Sequence, residues 1–160
     1  MRSLLPAFFA ALAFSSTSSL AAPAQCLLHL VVPQDGRISI GKTTVSLGDA
    51  DSKDQPTSWE GPLKAGRCTF DPGVIEQPIA VTPRGWLYVS SYSGSARMVT
   101  LYDLESCSVR WQSPSFDGKL ELDSHELRLG ETRMTLDNAC VPQASAFRNS
   151  AAGNMRPASR

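Results

Sequence analysis

The chain has 160 residues, with 15 basic and 15 acidic side chains, two histidines and four cysteines. Its balanced charge hides an asymmetry: Arg2, Arg148, Arg156 and Arg160 lie in the terminal stretches, so residues 25–142 carry 11 basic against all 15 acidic side chains. A net-acidic folded part lacks the clustered cations that a nucleic-acid surface needs, and its length admits one modest core.

Residues 1–24 read as a secretory signal. Met1-Arg2 supplies the positive start, and the apolar run from Leu4 to Phe14 ends in small polar residues. The run is too short to span a bilayer, and cleavage is expected near Ala21 or Ala24, leaving no stable membrane insertion. Gln25 before Cys26 is a poor lipidation signal. The expected location is periplasmic or extracellular.

The stretch from Cys26 to Gly48 alternates apolar and polar residues around an Asp35-Gly36 turn. Period-two alternation is a strand signature, and Asp-Gly accepts the positive φ of tight turns. The segment Asp49–Glu60 follows. Acids at its first, third and last places imitate a calcium loop, but Lys53 stands where a ligand belongs and Asp54 where the turn glycine belongs, while Pro56 stiffens the loop. A polar, solvated loop without metal is the expectation.

From Ile79 the pattern is strand, turn at Pro83-Arg84-Gly85, strand over Trp86–Ser91, the loop "SYSGSA", and a return strand over Met98–Asp103. Leu87, Val89, Val99 and Leu101 are expected on one face, with Trp86, Tyr88, Met98 and Tyr102 on the other. With two hydrophobic faces, either a second sheet covers the outer one or it forms a binding patch. Through Trp111 this stretch, "GWLYVSS", "MVTLYDL" and "SVRW", resembles one blade of a β-propeller. A propeller needs at least four such blades, more than the folded part can hold. The expected fold is therefore all-β: a compact antiparallel β-sandwich or small barrel of about 8–10 short strands.

The stretch from Cys107 to Gly130 echoes the one from Cys26 to Gly48. Cys26 aligns with Cys107, Pro33 with Pro114, Asp35-Gly36 with Asp117-Gly118, and Gly48 with Gly130. Apolar positions also match: Ile38 and Ile40 with Leu120 and Leu122, Val45 and Leu47 with Leu127 and Leu129. Internal duplication is one reading, two similar β-meanders the other. Each copy runs on to a second cysteine, Cys68 or Cys140. Four cysteines behind a secretory signal imply two disulfides. The echo favours Cys26–Cys68 with Cys107–Cys140; the next pairing is Cys68–Cys107 with Cys26–Cys140. The final segment, 143–160, has three arginines, no acid and one aromatic, and reads as a disordered basic tail.

No catalytic motif stands out. His29 and His125 have no metal partner at a ligand spacing; Ser124, His125 and Glu126 are triad ingredients but adjacent in sequence, and no Gly-x-Ser-x-Gly elbow or phosphate loop occurs. No cofactor is implied. The expected function is a secreted or periplasmic non-catalytic binding protein (an inhibitor, immunity protein or envelope-complex subunit) acting on an unidentified protein partner through a β-hairpin surface. The contact residues expected are Tyr92, Ser93, Ser95 and Arg97, with Tyr92 supplying contact area and Arg97 a charge for an acidic cleft. The alternative is a small secreted hydrolase using His125 and nearby acids.

Overall fold

Alternation and turn residues divide the chain into short strands, beginning with β1 (His29–Val31), β2 (Arg37–Ile40), β3 (Thr43–Ser46), β4 (Asp49–Ala50) and β5 (Ser58–Glu60). Then come β6 (Leu63–Ala65), β7 (Cys68–Phe70), β8 (Val74–Val81), β9 (Leu87–Ser93) and β10 (Ala96–Asp103). The last are β11 (Ser108–Gln112), β12 (Leu120–Leu122), β13 (Glu126–Leu129) and β14 (Thr132–Thr135). This is a computed structural model that describes residues 26–143. The expected signal over 1–24, and the expected tail over 143–160 apart from Gln143, lie outside the described residues.

The fold is all-β and antiparallel, as the alternation predicts, but its described residues form 14 strands rather than 8–10. The excess comes from two- to four-residue strands such as β4 and β5, which lie inside the polar stretch expected to be a loop. Trp59 explains them: the residue is 1% exposed, and burying a side chain of that size needs a paired backbone beside the core.

Three sheets stack in layers. The middle one runs β11-β10-β9-β8-β5-β4, with β1 also on β8. Strands β5 and β1 share one edge of β8, the former beside Val74–Glu76 and the latter beside Ile79–Val81. The blade-like meander β8 to β11 thus forms, but as the middle of a sandwich. One face carries Ile75, Ile79, Leu87, Val89 and Tyr102, packed on Ile38, Val45, Leu63 and Ala65 of the sheet β2-β3-β6-β7 and on Leu47 just after β3. The other carries Ala80, Tyr88, Val99 and Leu101, packed on Leu120, Leu127, Leu129 and Met134 of the sheet β12-β13-β14. Both faces of the central hairpin are therefore covered.

The face assignment across that hairpin needs correction. Leu87 pairs with Tyr102 and Tyr88 with Leu101, so Leu87 and Val89 share a face with Tyr102, not with Val99 and Leu101. The cause is the turn: Ser93 pairs with Ala96 across Gly94-Ser95, which sets odd-numbered residues opposite even-numbered ones. One residue of offset moves the whole set to the other face.

The disulfides also correct the expectation. They join Cys26 to Cys140 and Cys68 to Cys107, not Cys26 to Cys68 and Cys107 to Cys140. The echo predicts each bridge inside its own copy. In the fold, each leading cysteine abuts the outer layer that the other half of the chain builds. Cys26 precedes central strand β1 and meets the segment after β14; Cys107 precedes central strand β11 and meets β7. Each bridge ties one outer sheet to the middle one. The two turn-borne cysteines, Cys107 and Cys140, have φ of 55° and 61°. Aspartate caps hold both turns: Asp103 Oδ1 accepts from the Glu105 and Ser106 amides, and Asp137 Oδ1 from the Ala139 and Val141 amides. Beside Cys140, the buried Tyr88 hydroxyl donates to the Cys140 carbonyl at 2.5 Å.

Candidate functional site

The β9–β10 hairpin projects its turn from one end of the central sheet. Tyr92 and Arg97 are cross-strand partners there, and Tyr92 also faces Val74 of β8. Ser93 and Ser95 are exposed at the turn, while Tyr92 is half-buried. The four residues expected to make contact are thus brought together, but their side chains play different parts.

Arg97 is turned inward. Its Nη1 donates to the Gly118 carbonyl at 2.7 Å and its Nη2 to Glu76 Oε2 at 3.1 Å. Nε lies 2.5 Å from Glu76 Oε1 but outside hydrogen-bond geometry, so that contact is coulombic. Ser90 Oγ donates to the same carboxylate at 3.0 Å. The Arg97 carbonyl also accepts from the Phe116 amide at 3.1 Å. The guanidinium therefore clamps the segment leading into β12 onto the central sheet, and Glu76 balances its charge.

Two hollows flank Tyr92. One, of about 250 Å³, is lined by Tyr92, Ser95, Arg97, Phe116, Asp117 and Gly118. The other, of about 310 Å³, is lined by Tyr92, Ser93, Glu60, Gly61, Asp71 and Gly73. Gly73 lies so close that a Cβ there would sit 3.0 Å from the Tyr92 carbonyl oxygen. Asp117, Glu60 and Asp71 are exposed, and among the described residues none pairs with a cation. With Arg97 neutralised, this end of the molecule presents an aromatic ring among free carboxylates. Sequence reasoning missed Phe116, Asp117, Glu60 and Asp71, because they converge on Tyr92 only through sheet stacking. The sole local signal was the Asp117-Gly118 turn.

The other residues singled out by sequence lie elsewhere. His125 is exposed in the turn between β12 and β13, and its carbonyl accepts from the Leu136 amide at 3.0 Å. Its neighbour Ser124 is held by its own amide on Asp123 Oδ1 at 2.6 Å, and Glu126 lies 3.7 Å from Arg133. His29 is exposed on the edge strand β1. In the calcium-like stretch, the Asp51 carboxylate accepts from Thr57 Oγ1 at 2.8 Å, the Thr57 amide at 2.9 Å and the Ser58 amide at 3.2 Å. Those bonds, the Thr57 hydroxyl first, pull its pKa down to about 2. This carboxylate is committed to closing the loop. Among the described residues no three His, Cys, Asp or Glu side chains are grouped to hold a metal, and no helix is long and apolar enough to cross a membrane.

Two disulfides are the covalent signature of an oxidising compartment. Comparison with protein-family models, with curated proteins and with solved structures returns no match for this chain.

Proposed function

We propose that the protein is an exported binding module without chemistry of its own (an inhibitor, immunity protein or envelope-complex subunit) that engages a protein partner through the end of the central sheet around Tyr92. The observation that carries this reading is Tyr92 standing between two hollows on a hairpin whose faces are both packed. A half-buried tyrosine on a rigid hairpin offers contact area at little entropic cost, and such residues dominate interface energetics. The free carboxylates of Glu60, Asp71 and Asp117 favour a basic partner surface, and charge complementarity of this kind acts on association rate and specificity.

Immobilised oxidised protein is the bait for this test, with an envelope extract from the producing cells as the source of partner. A stoichiometric partner should be retained, and more tightly at low salt. Tyr92→Ala should weaken it by about 2 kcal/mol, roughly 30-fold, and Asp117→Lys should slow association. Retention that neither substitution alters, in variants with unchanged thermal midpoints, rejects the tip as the contact surface.

A further inference from the structure

The opposite end of the central sheet carries an arrangement that the proposed function does not use. Trp86 lies half-buried just before β9. Two guanidiniums lie against its ring, Arg84 Cζ at 5.4 Å and Arg110 Cζ at 5.0 Å from the centroid. Their electrostatic situations differ. Arg110 donates through Nη2 and Nε to Asp103 Oδ2 at 2.6 and 3.0 Å. The Asp103 side chain is 6% exposed. Burial alone would raise its pKa, but the bonds from Ser106, Arg110 and Glu105 outweigh that and hold it at about 2, so it stays charged and neutralises Arg110. Arg84 has no carboxylate partner among the described residues.

Arg84 is nevertheless held in place. It sits in a turn closed by Gly85 N to Thr82 O and Thr82 N to Trp86 O, both at 2.9 Å, and by Trp86 N to Thr82 Oγ1 at 3.1 Å. The exposed Arg84 side chain gains a cation–π contact with the indole, which favours one placement of its guanidinium over the many a solvated arginine samples. It borders a hollow of about 290 Å³ lined also by Ile40, Thr43, Gly85, Leu104 and Glu105. Lys42 stands on the two-residue turn between Ile40 and Thr43, and Arg67 Nη2 bonds the Glu105 carbonyl at 3.1 Å. Arg84 is the cation that lines this hollow and Glu105 the acid, with Lys42 beside its lining residue Thr43 in sequence and Arg67 bonded to the Glu105 carbonyl; among the described residues none of the three cations is ion-paired. In a folded part with more acids than bases, this is a local positive pole.

We infer that the hollow between the β2–β3 and β8–β9 turns binds a phosphoryl group, with Arg84, placed against Trp86, as its principal donor and the nearby cations Lys42 and Arg67 adding to the attraction. A guanidinium fork matches the oxygens of phosphate bidentately. The phosphoryl group comes either from a small soluble phosphate or from an anionic lipid headgroup.

Titration of the oxidised full chain with inorganic phosphate, at ionic strength held constant with chloride, tests this by amide chemical shifts. Saturating shifts are expected at Lys42, Thr43, Arg84, Gly85 and Glu105, with a Kd on the order of 1–10 mM for a single exposed anion. Arg84→Gln should weaken binding roughly fivefold or more, Glu105→Gln should tighten it, and Lys119→Gln, remote from the hollow, should leave it unchanged. Co-sedimentation with phosphatidylglycerol vesicles, against phosphatidylcholine vesicles, is the second arm. Binding there that depends on Arg84 assigns the lipid source; Arg84-dependent binding of free phosphate alone assigns a soluble ligand. The basic C-terminal stretch is present in every variant, so the Arg84 difference isolates the hollow. Shifts scattered over the surface, or binding in both arms indifferent to Arg84→Gln in a variant of unchanged thermal midpoint, overturn the inference. Neither outcome depends on Tyr92, so this test and that of the hairpin tip fail separately.

Discussion

Residues 26–48 and 107–130 are built to one outline and set on opposite flanks of one sheet. Each begins with a cysteine, adds a strand to the central sheet (β1 on β8, β11 on β10), turns at a proline and an Asp-Gly, and lays a hairpin over one face. The two hairpins cover different faces. Each also brings its turn glycine against its closing glycine. A Cβ on Gly36 would lie 3.5 Å from the Gly48 carbonyl oxygen, and one on Gly118 would lie 3.2 Å from Gly130 Cα. Their registers differ. Ile38 pairs with Val45 across the two-residue turn Gly41-Lys42, whereas Leu120 pairs with Leu129 and four residues separate the last pair, Leu122 and Leu127. The third strand differs too: β14 follows β13 directly, while β3 waits for β6, after the excursion through β4 and β5. Alternation and glycine placement thus specify a flank, while loop length sets its register and its next neighbour.

The comparison breaks most severely at the cysteines. In the chain-entropy account, the Cys26–Cys140 loop is worth about 5 kcal/mol and the Cys68–Cys107 loop about 4 kcal/mol. Replacing the first pair by serine should therefore lower the urea midpoint more than replacing the second. The reverse order would mean that native contacts, not loop closure, govern the two flanks. Next come the closing glycines. A Cβ on Gly48 would overlap the Glu60 carbonyl oxygen, one on Gly130 would overlap that of Asp117, and both residues have positive φ. Alanine at either should cost about 2–4 kcal/mol. At Gly41, where φ is also positive but no atom lies within 4 Å, it should cost only about 1 kcal/mol. Equal, small losses at all three would dissolve the structural likeness of the flanks.

The smallest effect is one of pH. Burial, followed by the nearby Asp137 charge, raises the Tyr88 pKa. The unfolded chain therefore loses this proton first, and the associated stability is complete below the ordinary tyrosine pKa and declines as pH rises beyond it. Tyr88→Phe should cost about 1 kcal/mol at neutral pH through the lost bond to Cys140 and should flatten part of the alkaline decline. A variant whose alkaline unfolding matches the parent would place that titration elsewhere.

What the sequence disclosed was local. Strands over Trp86–Ser91 and Met98–Asp103, the Asp-Gly turns and the count of two bridges follow from alternation, from glycine and from cysteine parity. Three features needed the third dimension. Trp59 sits in a stretch rich in Asp, Ser and Lys, and only the layer beneath it makes that stretch a pair of strands. The face carried by Val99 and Leu101 depends on whether the hairpin turn has an odd or even number of residues. The surroundings of Tyr92 come from β5, from the segment after β7 and from the segment before β12, with no periodicity linking them. Arg97 was legible as a charge near the hairpin tip, but its partner Glu76 lies on β8, two strands away across β9, and no spacing rule connects the two.

The nested pairing of the cysteines also bears on survival under proteolysis. With Cys26 joined to Cys140 and Cys68 to Cys107, hydrolysis of any one peptide bond between the outermost cysteines leaves a single covalent molecule. Bridges confined to each half would have let one nick between residues 69 and 106 release two pieces. A protease working on the exposed turns can therefore score this chain once without dismembering it.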